Sequence, residues 1–252
     1  MKRIAFHFDL ISPYSYLAFE RLPEALAGCS YVVDYRPVLF AGLLKHWGQK
    51  GPAEIEPKRA WTFRQIHWLA HAHGIEMQMP AQHPFNPLPL LRLGVACGPN
   101  RYVVETLFRH VWRGGADPSD AARLQRLTEA LKPQRDPDGD DVKAELRANT
   151  DAAIAQGVFG VPTLELDGRL FWGLDALPMV AAALRGDPWF DGAAWDEAAQ
   201  PRQPPTVETV VRRCVTPRSG SRRAAASTSS RFSIGSPIPM KTAWFTSPRR
   251  RK

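Results

Sequence analysis

Residues 3–18 read RIAFHFDLISPYSYLA and change from the period of a strand to the period of a helix at Ser12. Residues 3–9 alternate well enough for a strand, and apolar side chains at helical spacing begin after Pro13. A serine before the first helical turn and a proline within it are typical of a helix N-terminus. Such a junction leaves unpaired backbone N–H groups and the positive end of the helix dipole in front of Ser12.

The rest of the chain extends this unit to β-α-β, a helical segment and α-β-β-α. Residues 31–39 show the β-branched alternation of a second strand. Helical periods separated by glycine and proline then replace strand signals for more than a hundred residues. The predicted helices in this segment are residues 42–47, 58–73, 87–97, 102–113, 119–131 and 140–155.

Strand signals return at residues 161–166 and 169–172, on either side of a tight Asp167-Gly168 turn. A last helix is predicted from Asp175, as its N-cap, to about Leu184. This order predicts an α/β protein with a thioredoxin-like fold and an inserted all-helical domain. The predicted parts are residues 1–39 and 156–196 (thioredoxin-like), 40–155 (helical insertion) and 197–252 (a disordered basic tail).

The charge of the chain is concentrated in the tail. Residues 1–200 carry 21 Lys and Arg against 24 Asp and Glu, whereas residues 201–252 carry 12 against one. The overall charge of +8 therefore gives no reason to expect nucleic acid on the folded part. The tail, rich in Pro, Ser and Arg, is either an electrostatic arm that binds polyanions non-specifically or an extension without a selected role.

Other classes of protein are excluded by composition. No apolar run reaches the roughly 18–20 residues of a membrane span, and the N-terminus lacks a secretory pattern. The three cysteines, at positions 29, 97 and 214, form no CxxC pair, so neither a disulfide framework nor a cysteine metal site is predicted. We expect a cytoplasmic protein that binds no membrane.

A thioredoxin-type site has its reactive group at the N-terminus of the first helix, opposite a cis-proline that precedes the third strand. Ser12 and the pair Val161-Pro162 occupy these two positions, and the bond between Val161 and Pro162 is predicted to be cis. Because Ser12-Pro13-Tyr14-Ser15 stands where a CxxC motif would be, the site cannot cycle a disulfide by itself.

The stretch FDLISPYSYLA (residues 8–18) resembles the signature of 2-hydroxychromene-2-carboxylate isomerases and kappa-class glutathione transferases, which are DsbA-like proteins. The resemblance covers roughly residues 1–186. It includes residues 37–45 (PVLFAGLLK), 57–58 (PK), 84–88 (PFNPL), 160–163 (GVPT) and 171–175 (FWGLD).

The resemblance implies that glutathione is the cofactor, with its sulfur beside the catalytic Ser12 and its cysteinyl amide paired with the backbone of Val161 before Pro162. It implies an ammonium contact at Asp175 and a carboxylate contact at Lys58. Gln49, where the family commonly has asparagine, and Leu174 complete the implied cofactor site.

The implied substrate is a small aromatic-derived molecule in contact with Lys45 and Asn86. Structural alternatives stay open, because Ser12 and Asp175 can be plain helix caps and the three remaining polar residues can be solvated or capping groups. These residues are Lys45, Lys58 and Asn86.

The implied activity is a glutathione-dependent cis-trans isomerisation, in which a thiolate adds to an electrophilic carbon, the ring opens and the thiol leaves after bond rotation. Two alternatives remain: a kappa-type transferase or peroxidase, and a non-catalytic thiol-binding protein. The family resemblance also implies a homodimer.

We expect truncation after residue 200 to leave the melting temperature and any glutathione-dependent rate nearly unchanged, because the tail has no apolar period with which to pack. The same truncation should abolish weak, salt-sensitive binding to polyanions, which comes from counterion release. Thermal denaturation and binding to a polyanion at two salt concentrations measure both effects. A large fall in melting temperature would move the domain boundary into the tail.

Overall fold

The protein's structure, a computed structural model that describes residues 1–200, confirms the change from strand to helix at Ser12. Strand β1 covers Lys2–Phe8 and helix α1 covers Pro13–Ala25. The hydroxyl of Ser12 caps the helix by accepting a hydrogen bond from the backbone N–H of Ser15 at 3.2 Å. Proline follows at the first helical position, where the N–H that it lacks would have no partner.

Four strands form one mixed sheet in the order β2-β1-β3-β4. Strand β2 (Tyr31–Pro37) lies parallel to β1, while β3 (Thr163–Leu166) lies antiparallel to β1, and β4 (Arg169–Trp172) lies antiparallel to β3. Asp167 and Gly168 both have positive φ, 51° and 78°, as a two-residue hairpin turn requires. The predicted hairpin and the thioredoxin-like fold are confirmed.

The segment between β2 and β3 is helical, as predicted. Side-chain caps set several helix starts: Asn100 accepts a hydrogen bond from the N–H of Val103, and Asp120 accepts one from the N–H of Arg123. The helices are α2 (Phe40–His46), α3 (Glu56–Ala72), α4 (Leu88–Ala96), α5 (Arg101–Trp112), α6 (Ala121–Leu131) and α7 (Asp140–Ala155).

The end of the described chain differs from the prediction. Helix α8 covers Leu177–Leu184 and follows a 3-10 turn at Leu174–Ala176, so the prediction that Asp175 is its N-cap was wrong. Pro178 explains the shift, because its ring fixes φ and fits the first turn of a helix. A short helix, α9 (Ala193–Ala198), follows and was not predicted.

The core lies on both faces of the sheet. Phe6 and Phe8 of β1 belong to the larger cluster, in which the rings of Phe8 and Phe108 are 5.4 Å apart. A smaller cluster contains Val38, Leu43, Ala153, Val158 and Val161. Because side chains alternate along a strand, His7 points away from the face that Phe6 and Phe8 share.

Residues 1–200 form one compact unit. The larger cluster joins side chains of β1 and α1 to side chains of α4 and α5, so the sheet and the helical segment share buried surface. The division at residues 39/40 and 155/156 stays a prediction. The predicted disordered tail lies outside the described residues, apart from its first four positions.

Among residues 1–200, none of the helices combines the length and the apolar character that crossing a membrane requires.

Candidate active site

A cavity of about 1300 Å³ opens at the N-terminus of α1. Its wall contains seven of the nine residues that the sequence singled out, although the chain contributes them from five separate places. These residues are Ser12, Gln49, Lys58, Val161, Pro162, Leu174 and Asp175. The binding roles given to them stay predictions.

Ser12 lies where the first helix meets the loop before β3. Its side chain is nearly buried, with 6% of the residue exposed, and its Oγ donates to the carbonyl oxygen of Val161 at 3.3 Å. The Val161-Pro162 bond is cis, which confirms the prediction. The hydroxyl therefore joins the two halves of a thioredoxin-type site directly.

The loop that carries Pro162 has an unpaired backbone donor next to the cis bond. The carbonyl of Val161 accepts from Ser12, and the carbonyl of Pro162 accepts from the N–H of Gly173 at 2.9 Å. Within residues 1–200, the N–H of Val161 has no hydrogen-bond acceptor. Since Val161 lines the cavity, this N–H is a donor that the backbone of an extended ligand can use.

Asp9 holds the loop beneath Ser12, a role that sequence analysis did not assign. Its fully buried carboxylate accepts hydrogen bonds from the N–H groups of Ile11 at 3.1 Å and Phe40 at 2.8 Å. Burial raises the pKa of Asp9 to about 7, although these backbone hydrogen bonds act in the opposite direction. An acid inside the apolar run FHFDLI was the sequence signal for a built-in polar role.

Two side chains from the helical segment support the same loop from behind. The indole N–H of Trp112 donates to the carbonyl of Leu10 at 3.0 Å, and Nε2 of His83 lies 2.9 Å from the carbonyl of Ile11. Burial lowers the pKa of His83, so its ring is held neutral and donates through Nε2. These contacts fix the two residues before Ser12 to the helical segment.

Aromatic side chains form much of the cavity wall. The rings of Phe159 and Trp172 lie 4.9 Å apart, and Trp61 is 62% exposed. Gly160 allows Trp172 to lie against the loop, because a Cβ at this position would be 2.6 Å from the indole Nε1. Tyr14 donates to the side-chain oxygen of Gln65 at 2.7 Å.

Charged groups flank these apolar surfaces. Lys58 lies in the first turn of α3 and is exposed, and Asp175 is exposed in the 3-10 turn before α8. Burial raises the pKa of Tyr14, and the negative charge of Asp175 acts in the same direction. The wall thus offers a cation and a carboxylate to a ligand with both kinds of charge.

Lys45 and Asn86, the predicted substrate contacts, do not line this cavity. Lys45 is exposed on α2, and the side-chain oxygen of Asn86 accepts from the N–H of Leu88 at the start of α4. A substrate contact at either residue stays a prediction.

The lining within residues 1–200 contains no cysteine. Cys29 and Cys97 are free thiols elsewhere in this range. Ser12 and Ser15 stand where a dithiol pair would be, so a thiol at this site has to come from a bound molecule.

Comparisons with known proteins identify relatives of the chain and a solved structure with the same fold. The chain is 29% identical over 192 residues to a 2-hydroxychromene-2-carboxylate isomerase from Sphingobium xenophagum, covering 73% of this chain and 98% of that protein. It is 29% identical over 203 residues to glutathione S-transferase kappa 2 from Caenorhabditis elegans, covering 71% and 90%. A solved structure of a 2-hydroxychromene-2-carboxylate isomerase has the same fold, with a TM-score of 0.65 at 23% identity, covering 79% of this chain and all of that one.

The family described as the DSBA-like thioredoxin domain matches residues 3–185, which is most of the chain and includes every residue of the cavity wall. The chain therefore belongs to the DSBA-like thioredoxin domain family.

Proposed function

We propose that the protein is a glutathione-dependent isomerase of the 2-hydroxychromene-2-carboxylate isomerase type, which acts on an aromatic-derived substrate. The observation that carries this proposal is the position of the Ser12 hydroxyl: at a helix N-terminus, opposite the Val161 carbonyl, in a large cavity whose lining among residues 1–200 contains no cysteine. The relative from Sphingobium xenophagum, which is named an isomerase, supports this class of activity.

The residues present fit glutathione. A tripeptide ligand needs a backbone partner, and the N–H of Val161 is unpaired within the described chain. Lys58 provides a cation for one of its carboxylates, and Asp175 provides a carboxylate for its ammonium group. Gln49 adds an amide to the cavity wall, and Leu174 adds apolar surface next to Asp175.

Bound glutathione supplies a thiolate that adds to an electrophilic carbon and leaves again. Ser12 stabilises negative charge on this sulfur, since its hydroxyl can turn from the Val161 carbonyl toward the thiolate. The present hydrogen bond, at 3.3 Å, is longer than the usual range for O–H donors, so little is lost when the hydroxyl turns. The N-terminus of α1 favours the same charge. Both effects lower the pKa of the bound thiol.

The cavity also has room for an aromatic substrate. Its volume of about 1300 Å³ exceeds the roughly 300–1,000 Å³ of an ordinary small-molecule pocket. Phe159, Trp172 and Trp61 offer flat apolar faces, against which a conjugated ring can stack. These faces orient the substrate and exclude water from the reacting carbon.

A kappa-type glutathione transferase is the second candidate, because a kappa transferase is as similar in sequence as an isomerase, at 29% identity. The same thiolate would then end in a stable adduct. Isomerisation of 2-hydroxychromene-2-carboxylate without net thiol consumption supports the first candidate, and conjugation of 1-chloro-2,4-dinitrobenzene supports the second. Binding of glutathione without either turnover would indicate a thiol-binding protein. The cytoplasmic location and the homodimer stay predictions.

Calorimetric titration with glutathione tests the cofactor site. We expect Lys58→Gln and Asp175→Asn each to weaken glutathione binding about tenfold, because each removes a charge-assisted hydrogen bond. Lys45→Gln is the matched control, since Lys45 is an exposed lysine outside the cavity, and its affinity should equal that of the wild type. Equal affinities for all four proteins, or no binding to the wild type, would refute the proposed cofactor site.

A further inference from the structure

We propose that the cavity continues into a second binding site, a groove over α1 between α3 and α8, which takes the anionic end of an elongated aromatic carboxylate. This inference deepens the proposed function by naming the class of substrate. It rests on that function for the reaction, whereas the binding itself is independent of glutathione.

The floor of the groove is one face of α1. Tyr14, Arg21 and Ala25 line the cavity and are spaced seven and four residues apart, so they lie on one side of the helix. At 1.5 Å per residue, Arg21 lies about 14 Å along the helix from Ser12. The cavity therefore extends well beyond the space around the Ser12 hydroxyl.

Two helices form the walls, and each presents a regular stripe of lining residues. The α3 wall consists of Gln65, Leu69 and His73, and the α8 wall consists of Pro178, Ala181 and Arg185. Spacings of three and four residues place each stripe on one helix face. Leu69 and Ala181 make the middle of the groove apolar, and Ala25 lies one turn beyond Arg21, toward the end of α1.

The far end of the groove is cationic. Nη1 of Arg21 contacts Nδ1 of His73, which joins the floor to the α3 wall. Nη2 of Arg185 donates to the carbonyl of Ala27 at 3.4 Å, which places Arg185 beside the end of α1. Both arginines and the histidine line the same cavity.

The nearest acid leaves these guanidinium groups available. Oε2 of Glu24 is 3.8 Å from Nε of Arg21, and the Glu24 side chain is 74% exposed, so water screens this pair. A guanidinium carries five N–H donors, and among residues 1–200 the polar contacts of Arg21 are those with His73 and Glu24. Two arginines at one end of an apolar groove match a planar carboxylate, which they can bind by paired hydrogen bonds.

These features define the ligand by its dimensions and chemistry. An aromatic body fits the apolar middle, and a carboxylate about 14 Å along α1 from Ser12 lies level with Arg21, with Arg185 further along the same end. Such a molecule is longer than a bicyclic chromene. The groove also provides cations for a substrate carboxylate within the cavity, whereas Lys45 lies outside it.

Biphenyl-4-carboxylate and its methyl ester are suitable probes, titrated against the full chain without glutathione and followed by tryptophan fluorescence. We expect the acid to bind at least about tenfold more tightly than the ester. Arg21→Gln and Arg185→Gln should each remove most of this preference and leave the affinity for the ester unchanged. Arg126→Gln, at an exposed position of α6 outside the cavity, should change neither affinity.

A variant that fills the groove with a larger side chain tests whether the probes bind there. Ala25→Phe fills the far end of the groove, between Arg21 and the Ala27 carbonyl that Arg185 contacts, and should abolish binding of both probes, while the affinity for glutathione stays that of the wild type. Equal affinities for acid and ester in the wild type, or losses in Arg126→Gln as large as in Arg21→Gln, would overturn the groove assignment. If the probes gave the expected results but glutathione did not bind, the proposed cofactor would be wrong and the assignment of the groove would still hold.

Discussion

Replacing Ser12 by alanine is expected to reduce glutathione-dependent turnover by about 10²- to 10³-fold, the usual cost of removing one preorganised hydrogen-bond donor from a developing anion. The hydroxyl is the side-chain donor that joins α1 to the Val161 loop, and no cysteine in the described lining can replace it. The same substitution should raise the pKa of the bound thiol, because its thiolate loses a donor. Ultraviolet absorbance of the thiolate, titrated against pH, measures this change independently of turnover.

Ser15→Ala provides the matched control. Ser15 is one turn further along α1, its hydroxyl is buried, and its Oγ has no hydrogen-bond partner within residues 1–200. Removing this hydroxyl should change neither turnover nor thiol pKa. Ser12→Ala also removes a helix cap and should lower stability by about 1 kcal/mol, so the melting temperature has to be measured for both variants. A Ser12→Ala protein that binds glutathione with an unchanged thiol pKa would contradict the role given to Ser12.

Much of the fold could be predicted because its signals are local. The Ser12-Pro13 junction marks a helix start within two residues, and Asp167-Gly168 marks a hairpin within two residues. The error at Asp175 has the same origin, since two capping signals, Asp175 and Pro178, lie close together and proline decided the helix start. Local sequence thus predicted most of the elements, misplaced the start of α8 and shifted other helix ends by one or two residues, and missed α9.

The support of the site could not be predicted, because it depends on contacts between residues distant in the sequence. Trp112 is 102 residues from the Leu10 carbonyl that it binds, and His83 is 72 residues from Ile11. Lys45 shows a related limit. Leu44 lines the cavity, and the next residue of a helix is rotated by about 100°, which directs Lys45 elsewhere. The family motif gives the order of residues along the chain, but it does not specify which face of α2 each side chain occupies.

The second large effect that we expect is on the pH dependence of the free energy of unfolding. It arises because burial moves the pKa values of His7 and Asp9 in opposite directions. Burial lowers the pKa of His7 from 6.5 to about 4 and raises the pKa of Asp9 from 3.8 to about 7. Both ring nitrogens of His7 lack a hydrogen-bond partner in the described part of the chain. Between about pH 4 and 6.5 both groups are therefore neutral in the folded protein and charged in the unfolded chain.

The two groups bind the same total number of protons in both states over this window. The unfolded chain holds one proton on His7, and the folded protein holds one on Asp9. Their contributions to the pH dependence of stability cancel, because that dependence follows the difference in bound protons between the two states. When one of the two residues is replaced, the contribution of the other to the pH dependence of stability should become measurable.

His7→Leu should leave Asp9 as the uncompensated group. The folded pKa of Asp9 lies above the unfolded value, so its contribution is fully present below about pH 4 and is lost as the pH rises to about 7. We expect the free energy of unfolding to fall by up to about 4 kcal/mol over this range relative to the wild type. Leucine replaces a ring with no hydrogen bonds by an apolar side chain, so the variant should fold.

Asp9→Asn should show the opposite slope. The folded pKa of His7 lies below its unfolded value, so the free energy of unfolding should rise by up to about 3 kcal/mol between pH 4 and 6.5 relative to the wild type. Asparagine also loses one acceptor for the N–H groups of Ile11 and Phe40, which lowers stability at every pH without adding a slope. Urea denaturation at pH 4.5, 5.5 and 6.5 separates the offset from the slope. If the wild type and both variants gave parallel lines, neither residue would change its protonation on folding, and Asp9 would be an ordinary ionised acid beneath Ser12.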